Sequence, residues 1–220
     1  VGDTEVAFAA GTPDPTGPVI IAGTGSIAAR IEENRQVATA GGHGWLLGDE
    51  GSAFWLGREA VRTTLHALDR REPLDGLTES VVATVLDTAP ADDPHTTRRR
   101  LIAAVGGAAP IRLAEIAPLV TSAASSGDAR AREIVRRGAR LLLDTAQVLR
   151  AASETAPVVL AGSLVDADNP VGRTLRRELI ERGDPAPNYA GPGAAGAVWL
   201  ALRALDDTVP AEVHSLLTKT

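Results

Sequence analysis

Short, continuous apolar runs alternate with stretches of helical spacing along this chain. Val19-Ile20-Ile21-Ala22 is one such run and stops at Gly23-Thr24-Gly25-Ser26, which predicts a buried strand ending in a tight loop. Ile27 to Ile31 and Gln36 to Thr39 predict two further strands, joined by the polar hairpin Glu32-Glu33-Asn34-Arg35. Pro157 to Ala161 predicts another buried strand, followed by the small pair Gly162-Ser163; Asn188 to Ala190 predicts a short one. Helices are expected over Val1 to Ala10, before the turn cluster 11–18, and from a Ser52 cap to about Leu68. Further helices are expected from Asp128 to about Ser153, from Asn169 to about Arg182, and from about Ala194 to Leu205. Between about Leu77 and Ser126, several short helices broken by Pro90, Pro94, Gly106-Gly107 and Pro110 read as an insertion. The order of elements is that of an α/β protein.

Composition narrows the chemistry. The 220 residues are 44% apolar and 23% charged, enough for one large domain or two small ones. The absence of cysteine excludes disulfides, thiolate metal sites, cysteine-held iron–sulfur clusters and thiol nucleophiles. A net charge of −6 argues against wrapping nucleic acid but not against binding a small anion. No apolar run approaches a membrane span and no leader pattern opens the chain, so a cytoplasmic location with no membrane partner is expected. Methionine is absent even at position 1, so the chain is expected to be part of a longer protein.

Three glycine-rich stretches are candidates for ligand contact. At Gly23-Thr24-Gly25-Ser26, small residues let backbone amides approach an anion, and two hydroxyls add donors. The same four residues also suit a plain tight hairpin. Gly41 to Gly51 holds five glycines in eleven residues, a density kept where backbone must pass close to something. Its Asp49 and Glu50 suit sugar hydroxyls or a metal, or serve only as charge ahead of a helix. Gly162-Ser163 and Gly191-Pro192-Gly193 suggest two loops converging on one edge of the sheet, where ligands of open α/β folds sit. For Ala195 and Ala197, close helix packing is the favoured explanation.

The remaining chemistry-bearing residues are read as structural. His66, His95 and His214 are expected on the surface, and only His43 lies in a glycine-rich loop. Arg98-Arg99-Arg100 reads as a solvated helix face; Trp45, Trp55 and Trp199 read as packing. No metal-ligand set and no Ser–His–Asp set is supported by spacing.

Taken together, Val19 to Ser26, the stretch Gly41 to Ser52, Val158 to Ser163 and Gly191 to Ala197 resemble the BadF/BadG/BcrA/BcrD ATPase family, in its N-acetylglucosamine kinase branch. The resemblance covers nearly the whole chain, and the GGxGxxxGDEGS stretch is its specific part. It implies an α/β, ribonuclease H-like (actin-like ATPase) domain with a mixed sheet and a helical insertion near 77–126. Residues 1–18 would end an N-terminal lobe and 19–220 would form the C-terminal lobe. It further implies ATP as co-substrate with Mg²⁺, and an amino sugar as acceptor. Gly23, Thr24 and Gly25 would contact phosphates, and Gly162 and Ser163 the adenosine. Ser26, Gly42, His43, Gly44 and Asp49 would contact the sugar, with His43 where these kinases carry tryptophan. Asp3, 21 residues before Thr24, would be the catalytic base. The resemblance admits a homodimer, and leaves the acceptor open among N-acetylglucosamine, glucosamine, N-acetylmuramate and another hexose.

Two rival readings stand beside this one. The family's activators of 2-hydroxyacyl-CoA dehydratases hold an iron–sulfur cluster through cysteines, which this chain lacks. A non-catalytic sugar-sensing module would keep the sugar loop without needing Asp3 or the phosphate turn.

Overall fold

The computed structural model describes residues 1–150 and 155–218. In chain order the elements are α1 (Asp3–Ala9), β1 (Gly17–Ala22), β2 (Ser26–Glu32), β3 (Arg35–Gly41), α2 (Gly44–Leu47) and α3 (Ala53–Asp69). There follow α4 (Gly76–Leu86), α5 (Pro94–Gly106), a 3₁₀ helix (Pro110–Ile116), α6 (Ala117–Ser125) and α7 (Ala129–Gln147). The chain continues with β4 (Val159–Ala161), α8 (Pro170–Glu181), β5 (Asn188–Tyr189), α9 (Gly193–Leu205) and α10 (Ala211–Thr218).

The strands form one mixed sheet in the order β3-β2-β1-β4-β5. β1, β2 and β3 pair antiparallel, whereas β4 runs parallel to both β1 and β5. The Glu33-Asn34 turn between β2 and β3 places both residues at positive φ, as a two-residue hairpin loop requires. Alternate residues of β1 face opposite layers. Val19 packs with Phe8 of α1, Ala29, Ile31 and Val159, while Ile20 and Ala22 join Trp55, Leu56 and Leu142 in the main core. Because both faces of β1 are covered, the run 19–22 is apolar throughout rather than alternating.

The three predicted caps form. Ser52 accepts a hydrogen bond from Trp55 N, Asp128 from Ala131 N and Asn169 from Val171 N. The helix expected to reach Ser153 ends instead at Gln147. Leu149 N and Arg150 N donate to the carbonyls three residues back, a tight turn that redirects the chain toward β4. The last part of that expectation, 151–154, lies outside the described residues.

Two features were not foreseen. α10 follows Pro210, and its His214 is buried rather than on the surface. The ring stands edge-on to Trp199 at 5.2 Å, and Nε2 lies 2.7 Å from Ala9 O, so α10 docks on both α9 and α1. His66 and His95 are exposed, as expected. No single described helix is long and apolar enough to cross a membrane.

Candidate functional site

β1 and β4 run parallel and side by side, with Ile21 level with Ala161, so the 23–26 turn and Gly162-Ser163 leave the sheet from the same edge. They lie very close. Gly162 has φ +100°, and a methyl group on it would sit 2.4 Å from Ala22 O. Gly23, Thr24 and Ser163 line one cleft of about 490 Å³. Ala53 at the start of α3, Ala117, Pro118 and Thr121 of α6, and Asn169 complete much of its wall. The helical insertion therefore supplies part of this wall. Its residues carry no recognisable motif, and only the fold shows their place.

The turn leaves backbone donors open. Gly23 N donates to Gly25 O, and Ser26 N donates to Asp49 Oδ1 at 3.2 Å. Among the described residues, no hydrogen bond uses the Thr24 or Gly25 amide N–H. Thr24 is exposed. Two adjacent backbone donors and a hydroxyl at the mouth of a cleft suit phosphate oxygens.

The Gly41–Gly51 loop is laced to the same turn. Ser26 Oγ donates to Glu50 O at 2.9 Å, while Ala53 N and Phe54 N donate to the carbonyls of Gly23 and Thr24. Asp49 takes φ +55°, a left-handed conformation that Asp tolerates better than most residues. It is 9% exposed, and both its oxygens would lie 2.9 Å from a methyl group on Gly25. Its one described hydrogen bond leaves acceptor capacity on the carboxylate. Gly42, His43 and Gly44 are exposed beside it. The loop also contains α2, which was not anticipated. There Trp45 contacts the Phe54 ring at a centroid distance of 5.8 Å, while Leu46 and Leu47 stand in solvent.

The 191–193 loop leaves the same sheet edge as Gly162-Ser163, as expected, since β5 runs parallel to β4, but it and Asp3 stand outside the cleft. Gly191 N donates to Ala10 O, and Gly196 lies against the Val6 carbonyl. Gly191 and Gly196 thus let α9 cross α1 closely; Ala195 is buried as helix packing requires, whereas Ala197 is exposed, and none of residues 191–197 lines the described cleft. Asp3 is exposed at the first position of α1, and its carboxylate makes no hydrogen bond or ion pair among the described residues. The start of α1 is pinned to β3 by Thr4 Oγ1 donating to Gln36 Oε1 and Gln36 N donating to Glu5 Oε1. Gln36 pairs with Ile31, five strand steps from Ser26, or roughly 16 Å along the sheet. No described contact joins Asp3 to Thr24 or Asp49.

Comparisons with known proteins agree with the fold. The model of the BadF/BadG/BcrA/BcrD ATPase family matches residues 2–201. An N-acetylmuramic acid/N-acetylglucosamine kinase of Clostridium acetobutylicum is 27% identical over 183 residues, covering 81% of this chain and 58% of that protein. An N-acetyl-D-glucosamine kinase of Dictyostelium discoideum is 28% identical over 214 residues, covering 91% of this chain and 64% of that protein. A crystal structure from Chromobacterium violaceum, provisionally named an N-acetylglucosamine kinase, superimposes with a TM-score of 0.69 at 29% identity. It covers 92% of this chain, which in turn spans 65% of that one. The chain thus spans less than two thirds of each of these proteins. The fold is the actin-like ATPase architecture with its mixed sheet and helical insertion.

Proposed function

We propose, for a chain that belongs to the BadF/BadG/BcrA/BcrD ATPase family, that the complete protein phosphorylates an amino sugar with ATP, converting N-acetylglucosamine to its 6-phosphate. The observation that carries this reading is the pair of free amides at Thr24 and Gly25, in a turn whose Gly23 and Thr24 line a cleft with Ser163. Residues 1–18 would close a first lobe and 19–220 would form the second, in keeping with the 58–65% of the relatives' length that the chain spans. Use of ATP sets the reaction in the cytoplasm.

Each group has a chemical task. The Thr24 and Gly25 amides, with Gly23 and the Thr24 hydroxyl, hold phosphate oxygens and stabilise charge as it shifts toward ADP. Gly162 and Ser163 face the nucleoside. Ser26, Gly42, His43, Gly44 and Asp49 hold the sugar, and Asp49 accepts from a ring hydroxyl. Asp3 takes the proton of the 6-hydroxyl as its oxygen attacks the γ-phosphorus. That role rests on its place in the family pattern. Asp49 is the carboxylate nearer the phosphate turn, and the role passes to it if an Asp3 substitution spares turnover.

Among the described residues no three His, Asp or Glu side chains gather as a metal site. The residues fit Mg²⁺ carried in on ATP, since this ion keeps mostly water and phosphate ligands. When bound it would neutralise phosphate charge.

N-acetylmuramate is the second acceptor to test, because the Clostridium relative is named for both sugars. Sugar-dependent ADP release by the complete protein, run over a panel of amino sugars and hexoses, tests the reading. Sugar binding without any ADP release would leave the non-catalytic sugar-sensing module as the alternative.

A further inference from the structure

Away from the cleft, a charge cluster joins α3 to α7. Glu59 is buried, and its carboxylate accepts from Arg62 Nη1 at 3.4 Å and from Arg137 Nη1 at 3.3 Å. Arg58 joins the cluster as an ion pair, its Nε 3.6 Å from Glu59 Oε1, longer than a hydrogen bond. That Nε is buried with no hydrogen-bond partner among the described residues, an unfavourable placement for a guanidinium. The other end of the head group reaches toward the glycine-rich loop. Nη2 lies 4.0 Å from Glu50 Oε2, and the guanidinium carbon is 5.9 Å from the centre of the Phe54 ring. Phe54 is the residue against which Trp45 of the same loop rests.

The loop needs such an anchor. Five glycines between 41 and 51 give it a large conformational entropy, and His43 to Leu47 are exposed. We propose that Arg58 is a positioning residue for the glycine-rich loop, holding it at Glu50 directly and at Trp45 through Phe54. Glu59, fixed by Arg62 and Arg137, sets where Arg58 can reach. The inference deepens the sugar-kinase reading for its kinetic consequence, and rests on geometry alone for its optical one. A loop held in its binding conformation binds its ligand without first paying to order itself.

The test uses the complete protein and two independent readouts. Arg58→Met keeps the stem and removes the charge. It should raise the sugar KM roughly fivefold to twentyfold while kcat at saturating sugar and the ATP KM stay within about twofold. Arg58→Lys should recover part of the loss. Glu50→Gln should raise the sugar KM as well, and the double variant should fall short of the product of the two effects.

The second readout needs no activity. Trp55 and Trp199 are each 2% exposed and Trp45 is 39% exposed, so among the tryptophans of residues 1–220 added acrylamide quenching reports on Trp45, and a Trp45→Phe background gives the contribution of any other tryptophan. Arg58→Met should increase quenching and shift emission to the red. Unchanged quenching together with an unchanged sugar KM overturns the inference, as does an equal rise in both KM values. If the complete protein phosphorylates no sugar, the kinase reading falls, and unchanged quenching then overturns the anchoring by itself.

Discussion

Asp49 and Gly25 show how tightly two motifs 24 residues apart can depend on each other. The carboxylate fills the space a side chain at 25 would need, so the 23–26 turn and the 41–51 loop share one packing contact. Gly25→Ala forces that carboxylate to move, and overpacking of this kind typically costs about 1–3 kcal/mol. We expect roughly tenfold weaker nucleotide binding from the displaced turn, measured by titration of the complete protein. Asp49→Asn should weaken sugar binding about ten- to a hundredfold, the effect of losing one charged hydrogen bond. An unchanged sugar affinity would reduce Asp49 to a support for the turn. Asp3→Asn keeps the side chain's shape and removes its basicity. General-base catalysis is commonly worth about a hundred- to ten-thousandfold, so kcat should fall by that order with the fold and ATP affinity intact. A variant keeping a third of the turnover would move the base to Asp49 or Glu50.

Elements were legible where a local signal governed them. The apolar runs at 19–22 and 157–161, and the caps at Ser52, Asp128 and Asn169, act through neighbours a few residues away. His214 was misplaced because its burial depends on Ala9 and Trp199, which the chain brings to it only on folding. The cleft wall from α6 was invisible for the same reason, since Ala117, Pro118 and Thr121 acquire a role only through packing.

α3 meets α7 where Gly51, at φ +77°, lies against the Gly138 carbonyl. A methyl group at 51 would be 2.4 Å from that oxygen and 2.7 Å from Leu142 Cγ. Gly51→Ala should therefore lower stability by about 2–4 kcal/mol, read as a fall of several degrees in Tm. α1 carries a titrating contact. Glu5 accepts from Gly2 N at 2.8 Å and from Gln36 N, and these bonds hold its carboxyl below the ordinary value of 4.5. A lowered native value means the contact stabilises the fold above about pH 4.5 and fades as pH falls below it. Glu5→Gln should flatten that part of the Tm–pH curve, and an unaltered acid limb would assign it to other carboxylates.

At the scale of the molecule, the 23–26 turn and Gly162-Ser163 leave one edge of a single sheet, and the 41–51 loop is bonded to that turn. A kinase must also exclude water, which competes with the sugar as acceptor, and a second lobe closing over this surface would do so. Residues 1–220 alone should accordingly show no measurable sugar phosphorylation, and turnover by this chain in isolation would show that no second lobe is needed. The decisive experiment incubates the complete protein with Mg-ATP and N-acetylglucosamine and follows both products by ³¹P NMR. One sugar 6-phosphate should appear for each ADP, and Thr24→Ala should suppress both signals together. ADP formed at the same rate without sugar, or no phosphorylated sugar from any amino sugar offered, would contradict the assignment.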